Sequence, residues 1–186
     1  MRSTLRLAAL LAAFTAPAAH AVEYRTVLPE KSTLAFEFRQ MGVPVKGGFK
    51  RFATALRFDP ARPEAGQARI EIDLASIDAG SPEADEEAAG KLWFNRSVFP
   101  KATFVSREVR ALGGNRYALD GTLTLKGKSR PLTVPVTYTP GREVATFDGA
   151  FVLKRLDFGI GEGMWADVSA VANEVRVKFR IAARGN

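Results

Sequence analysis

Period-two alternation of apolar and polar residues dominates the chain after residue 21, the pattern of strands with one face in a core. Val175, Val177, Phe179 and Ile181 alternate with Glu174, Arg176, Lys178 and Arg180. The pattern recurs in Leu34, Phe36 and Phe38 against Ala35, Glu37 and Arg39, and in Ile70, Ile72 and Leu74 against Arg69, Glu71 and Asp73. Such segments are half-buried antiparallel strands. Further strands are predicted at Leu56 with Phe58, around Phe104, over Tyr117, Leu119, Leu123 and Leu125, over Leu132, Val134, Val136 and Tyr138, and over Phe147, Phe151 and Leu153. Turn signals separate them at Asp59-Pro60, Gly113-Gly114-Asn115, Lys126-Gly127-Lys128 and Pro140-Gly141. Pro135, inside a strand pattern, predicts an edge or bulged position. The reading gives eight or nine strands, with no repeat and no domain linker.

One segment breaks the alternation. Ser81 and Pro82 have the character of an N-cap and first helical residue, and Glu83, Asp85, Glu86 and Glu87 suit the positive end of a helix dipole. Gly90 is placed to end that helix, and Lys91-Leu92-Trp93-Phe94 follows with three large apolar residues in a row. Trp93, Phe94 and Phe99, and on another segment Met164 and Trp165, either plug the ends of a barrel as core or line the mouth of an apolar tunnel. A sheet with this patterning forms a sandwich or closes into a barrel, and Gly47, Gly48, Gly121 and Gly149 lie in strand-like settings where a missing side chain leaves room.

The first 21 residues read as a cleavable export signal: Arg2 and Arg6, an apolar run over residues 7–14, and Ala19-His20-Ala21 as the cleavage site. The run is too short to cross a bilayer. Its removal from a chain of 186 residues leaves one domain over residues 22–186, and the expected location is the periplasm. The signal holds two arginines and no acid, so the formal charge of +7 falls to +5, which a solvated basic exterior or an anionic partner explains. There is no cysteine, and the one histidine, His20, lies in the signal.

These absences narrow the chemistry. General acids and bases are restricted to Asp, Glu, Lys and Tyr, and Asp157, Glu162 and Asp167 around a glycine-rich turn are the candidate carboxylates. No serine sits in a nucleophile-elbow context. No catalytic residues and no metal ligands are assigned, because zinc and copper sites lean on His and Cys and the acidic run 83–87 lacks calcium-loop spacing. Gly159-x-Gly161-x-Gly163 lacks the strand-loop-helix setting of a nucleotide site and reads as a flexible loop. Lys46, Lys50 and Arg51 around Phe49 and Phe52 read as a solvated face or a phosphate clamp, and export argues against nucleic acid as partner.

Ser32-Thr33-Leu34-Ala35-Phe36, Lys46-Gly47-Gly48-Phe49 with Phe52, Ile72-Asp73 with Ser76-Ile77-Asp78, Trp93-Phe94-Asn95, Phe99-Pro100-Lys101-Ala102-Thr103-Phe104, Gly121-Thr122-Leu123-Thr124-Leu125-Lys126-Gly127 and Arg155-Leu156-Asp157-Phe158-Gly159-Ile160 together resemble the YceI-like family of exported, lipocalin-like proteins that bind polyisoprenoid lipids. The resemblance implies an all-β, antiparallel, eight-stranded lipocalin-like barrel with a short helical insertion near residues 82–95. It implies a non-enzymatic carrier, without a cofactor, enclosing an isoprenoid lipid or isoprenoid quinone. The expected ligand-binding residues are Phe36, Phe38, Phe58, Ile72, Phe104, Leu125, Phe151 and Phe179 inside, with Trp93, Phe94 and Trp165 near an opening. A peripheral membrane contact and a homodimer stay open. The chain departs from the family pattern over residues 84–91, where no histidine stands, and at Asn95, which replaces an acid. One five-carbon isoprene unit contributes on the order of 3 kcal/mol on burial, so some four to eight units give micromolar affinity after the cost of association. The alternatives are a small outer-membrane barrel and a lipid-acting enzyme using the loop carboxylates.

Overall fold

In the computed structural model, which describes residues 22–185, the described residues form eleven strands in one antiparallel sheet. The strands are β1 (Tyr24–Val27), β2 (Thr33–Gln40), β3 (Val43–Phe49), β4 (Phe52–Arg57), β5 (Gln67–Asp73), β6 (Ile77–Asp78), β7 (Lys101–Gly113), β8 (Arg116–Leu125), β9 (Lys128–Thr139), β10 (Val144–Lys154) and β11 (Glu174–Gly185). Their order across the sheet is β4-β5-β7-β8-β9-β10-β11-β2-β3-β6, with β1 also on β11. The expected signal over residues 1–21 lies outside the described residues.

The expected lipocalin-like, all-antiparallel class is observed, but the strand number is larger than eight. Three strands escaped the alternation. Of these β1 has four residues and β6 two, while β3 carries Gly47 between Val45 and Phe49 on its inward face and Pro44 and Gly48 on its outward face, which blurs the contrast between the two. The helix α1 (Pro82–Ala89) is capped as its sequence predicts, Ser81 Oγ accepting from Ala84 N at 3.2 Å, and it stops at Gly90. Residues 90–99 are turns, so the insertion is helical only in its first half.

The sheet curls into a half-barrel whose two ends differ. Its two edges, β4 on one side and β3 with the two-residue β6 on the other, are not joined by a ladder among the described residues, leaving a seam along one side. At one end β1 bridges the seam. It pairs with β11 through Val27↔Ala183, and Tyr24 exchanges two backbone hydrogen bonds with Phe58, at 2.7 and 3.1 Å. Tyr24, Phe58, Tyr117, Tyr138 and Phe147 fill this end as an aromatic plug, each no more than 7 % exposed, with ring centroids 5.1–5.9 Å apart. The Tyr138 hydroxyl donates to that of Tyr24 at 3.0 Å, so neither buried phenol is left unpaired.

The opposite end is a mouth, formed by the β2–β3 turn, α1, the turn at Lys126-Gly127 and the loop 155–173. Pro135 lies where the β9–β10 ladder, which runs from Thr139↔Thr146 to Val136↔Gly149, stops. Beyond it β9 keeps only β8 as a neighbour, so the missing N–H falls at a local edge within the sheet.

Candidate functional site

A cavity of about 470 Å³ runs inside the half-barrel from the plug to the mouth. Its position is set by an asymmetry in packing. On β7, β8 and β9 the inward residues Phe104, Val109, Leu123, Leu125, Val134 and Val136 are buried at 4–7 % exposure, because they interdigitate with one another. Most inward residues on β2, β4, β5, β11 and the second half of β10 are only half-buried, although they too face the interior. Leu34, Phe36, Phe38, Leu56, Ile70, Ile72, Phe151, Val177 and Phe179 are among them, and all border the cavity. An inward apolar side chain that is not fully buried faces space that protein atoms do not fill. Packing interiors close to crystal density leave few such spaces.

Glycines shape this wall by letting rings lie over bare backbone. Gly47 stands opposite Phe36 across the β2–β3 ladder and Gly149 opposite Phe179 across β10–β11. A Cβ at Gly149 would come within 2.6 Å of Phe179 Cε1, and one at Gly47 within 2.6 Å of Phe36 Cε2. Gly121 receives the Phe104 ring in the same way. Gly48 points to the other face, where a Cβ would meet Leu34 O at 2.8 Å.

All eleven residues expected to contact ligand border this one cavity. Phe58 sits at its floor in the plug, and Ile72, Phe104, Leu125, Phe151 and Phe179 are in the side walls. Phe38 and Phe36 start an aromatic run that continues through Phe49 to Phe94 at the mouth, with centroids 6.3, 5.7 and 6.2 Å apart in turn. Trp93 and Trp165 meet at the opening, 5.6 Å apart and tilted by 57°. Trp165 Nε1 donates to Glu87 of α1 at 2.8 Å, which ties the loop across the mouth to the helix. Met164, read as core at a barrel end or part of the mouth, is 78 % exposed on the mouth loop.

The mouth loop is built around Arg155, 1 % exposed and without a carboxylate partner. Its Nε donates to Ala172 O at 3.1 Å, its Nη1 to Ile160 O and Gly161 O at 2.8 and 2.9 Å, and its Nη2 to Trp165 O and Val171 O at 2.6 and 2.7 Å. Five N–H groups thus meet five carbonyls, which is the full donor capacity of a guanidinium. Trp93 lies over it, with its ring centroid 5.6 Å from Cζ. Burial pulls the Arg155 pKa down, but a guanidinium stays charged at neutral pH. Gly159, Gly161 and Gly163 all have positive φ, at 68°, 75° and 62°, and turn this loop rather than cradle a phosphate.

The candidate carboxylates are not brought together. Glu162 is paired with Lys126 Nζ at 2.9 Å, and its pKa is lowered by that hydrogen bond and charge. Asp167 accepts from the Ser169 hydroxyl at 2.7 Å and from its N–H at 2.8 Å, which lower its pKa in turn. The Asp157 backbone carbonyl accepts from Arg130 at 3.4 Å, and none of the three carboxylates bonds to another. No group of three or more metal-ligating side chains occurs among the described residues. Lys50 and Arg51 of the suggested phosphate clamp are engaged, with Asp78 at 2.9 Å and Asp73 at 2.8 Å.

A model of the YceI-like domain matches residues 26–183. The chain belongs to the YceI-like family. Among its relatives, a UPF0312 protein of Yersinia pestis (strain Pestoides F) is 32% identical over 164 residues, 84% of each chain. A UPF0312 protein of Azotobacter vinelandii is 31% identical over 120 residues, 61% of this chain and 62% of that one. Among solved structures, Burkholderia cenocepacia BcnA superposes with a TM-score of 0.83 at 43% identity, covering 84% of this chain and 99% of that chain. A polyisoprenoid binding domain from Saccharophagus degradans superposes with a TM-score of 0.66 at 15% identity over 90% of this chain and 100% of that one, a likeness of fold.

Within this YceI-like half-barrel, sequence reasoning missed two kinds of site residue. Leu34 and Leu56 border the cavity and were legible as inward positions, since they share the parity of Phe36 and Phe58, while Phe49, which also borders it, lies on β3, which showed no alternation. Arg155 carried no such signal. It follows Lys154 in a run of charges at a strand end, and only the fold shows that one of these two cations is buried.

Proposed function

We propose that this YceI-like protein is a non-enzymatic carrier or reservoir that encloses the chain of an isoprenoid lipid, a polyprenyl phosphate or a quinone-type tail, in its cavity. The observation that carries this reading is the half-buried inward face of β2, β4, β5 and β11, an apolar wall that borders the cavity. Covering such a wall stabilises the complex by about 25 cal/mol per Å² of apolar surface removed from water. The cavity is closed at one end by the aromatic plug and open at the other, which suits a linear amphiphile entering tail first and leaving its polar head at the mouth. The resemblance of fold to a polyisoprenoid binding domain supports the same class of ligand.

The protein would act in the periplasm after export through residues 1–21, collecting its cargo by peripheral contact with a membrane. Its outward face argues against an integral outer-membrane barrel, which needs an apolar exterior and aromatic girdles. Arg176, Lys178 and Arg180 point outward on β11, and their inward neighbours are the apolar ones. The chain's two tryptophans stand together at the mouth, so their fluorescence reports loading. Titration of delipidated protein with an isoprenoid quinone should quench them to saturation at one ligand per chain. Absence of saturable quenching, with no lipid recovered from exported protein, would refute the carrier reading.

A further inference from the structure

Apart from Met1, the chain has two methionines, Met41 and Met164, and they are the two most exposed large apolar residues among the described residues, at 80 % and 78 %. Both belong to the mouth. Met41 is at the tip of the β2–β3 hairpin, where Gln40 pairs with Val43, and Met164 is on the turn Gly163–Ala166. Met41 N donates to Ala170 O at 2.8 Å and Ala172 N to Arg39 O at 2.9 Å, so the hairpin tip and the mouth loop form one continuous rim. Val43, Val168 and Leu92 extend it, at 63 %, 55 % and 38 % exposure. Leu92 is held to the same loop through its carbonyl, which accepts from Gly161 N at 2.8 Å and Glu162 N at 2.9 Å.

Met41 is also the wrong residue for its backbone. Its φ is 49° and that of Gly42 is 79°, a two-residue hairpin turn that favours Asn, Asp or Gly at the first position. A side chain with a strained left-handed backbone and four-fifths of its surface in water gains nothing for the fold. Such an outlier points to a role outside it. Methionine is flexible and polarizable, and it adapts to irregular apolar surroundings.

We propose that this rim docks the mouth on a lipid bilayer, with Met41 and Met164 inserted among the acyl chains. The inference rests on the carrier reading, and the occupant follows from position: the rim surrounds the opening through which an apolar chain must pass, and an apolar collar seated in a bilayer removes water from that path. Exposed apolar residues scattered singly need no explanation, but several gathered on one rim mark an interaction surface.

Flotation with phosphatidylethanolamine and phosphatidylglycerol vesicles tests it, using the full chain as exported and the variants M41D/M164D and L112D. Leu112 is 50 % exposed near the turn at Gly113-Gly114, beside the plug, and serves as a control for adding an acid to an apolar surface site. The wild type and L112D should float, and the double variant should lose about tenfold or more in vesicle affinity. Equal flotation of all three, or no flotation of the wild type, overturns the proposal. So does a wild-type dimer that the double variant abolishes in the absence of vesicle binding, which would make the rim a contact between two copies. Loading of all three proteins from detergent-dispersed quinone keeps the tests separate, since failure there sinks the carrier reading and success with failed flotation sinks only the rim.

Discussion

The ring of Phe179 lies over the backbone of Gly149, its partner across the β10–β11 ladder, in the wall of the cavity. A side chain at 149 has only the ring to displace or the Pro135 carbonyl, which stands 2.6 Å from the Cβ position. Gly149→Val should therefore turn Phe179 into the cavity, cost about 1–3 kcal/mol in stability and weaken binding of an isoprenoid quinone by at least tenfold. Chemical denaturation and fluorescence titration measure the two effects. Unchanged affinity in a folded variant would show that the ligand does not pass Phe179.

Arg155 should be the single most costly mouth residue to replace. Arg155→Met leaves five carbonyls without their donor, and each buried acceptor left unsatisfied costs about 1–3 kcal/mol. Arg155→Lys keeps the charge but offers three donors to five acceptors, so it should recover only part of that loss. Limited proteolysis should cut the 155–173 loop first in both. A methionine variant as stable as the wild type would mean that the loop is held by something else.

Much of this architecture was legible in the sequence, and the exceptions have physical reasons. Alternation marked the strands that pair one greasy face with one charged face, such as β11, and the Ser81 cap with its acidic first turn marked α1. The strands it missed lack the contrast on which alternation depends: β3 places Gly47 beneath the Phe36 ring, so its inward face reads Val45, Gly47, Phe49, with the middle position bare. The eleven inward or mouth residues fall on one cavity because parity within a strand is local information. The plug is different. Tyr24 and Tyr138 lie 114 positions apart, and their contact is a consequence of closure by β1 that no local pattern encodes.

That contact makes its own prediction. Tyr138→Phe should cost about 1 kcal/mol by leaving the Tyr24 hydroxyl unpaired, while Tyr24→Phe with Tyr138→Phe should cost less than the sum of the single changes. Burial, then the hydrogen bond to Tyr24, raise the Tyr138 pKa well above the usual 10.0. An acid whose folded pKa is raised ionises first in the unfolded chain, so the wild type should lose stability as pH rises past about 10. A thermal midpoint flat from pH 9 to 11 would contradict this.

Acid should act through the outer ion pairs. Side-chain hydrogen bonds from Arg51, Lys50 and Arg110 lower the pKa of Asp73, Asp78 and Asp120 respectively, each from the usual 3.8. A carboxylate with a depressed folded pKa contributes stability that is present above the unfolded value and lost as pH falls toward the folded one. The thermal midpoint should hold from neutral pH to about 5 and decline below about 4, modestly because these pairs are exposed. A decline already complete by pH 5 would require another titrating group.

The central claim is that the cavity holds an isoprenoid chain, and native mass spectrometry of protein purified after export, without detergent, tests it most directly. Wild-type protein should carry one isoprenoid per chain, and Ile72→Trp, which fills the half-buried wall of β5, should carry none while remaining folded. Wild-type protein that is empty and stays empty when isoprenoids are added, or that loads equally well with Ile72→Trp in place, would contradict the account.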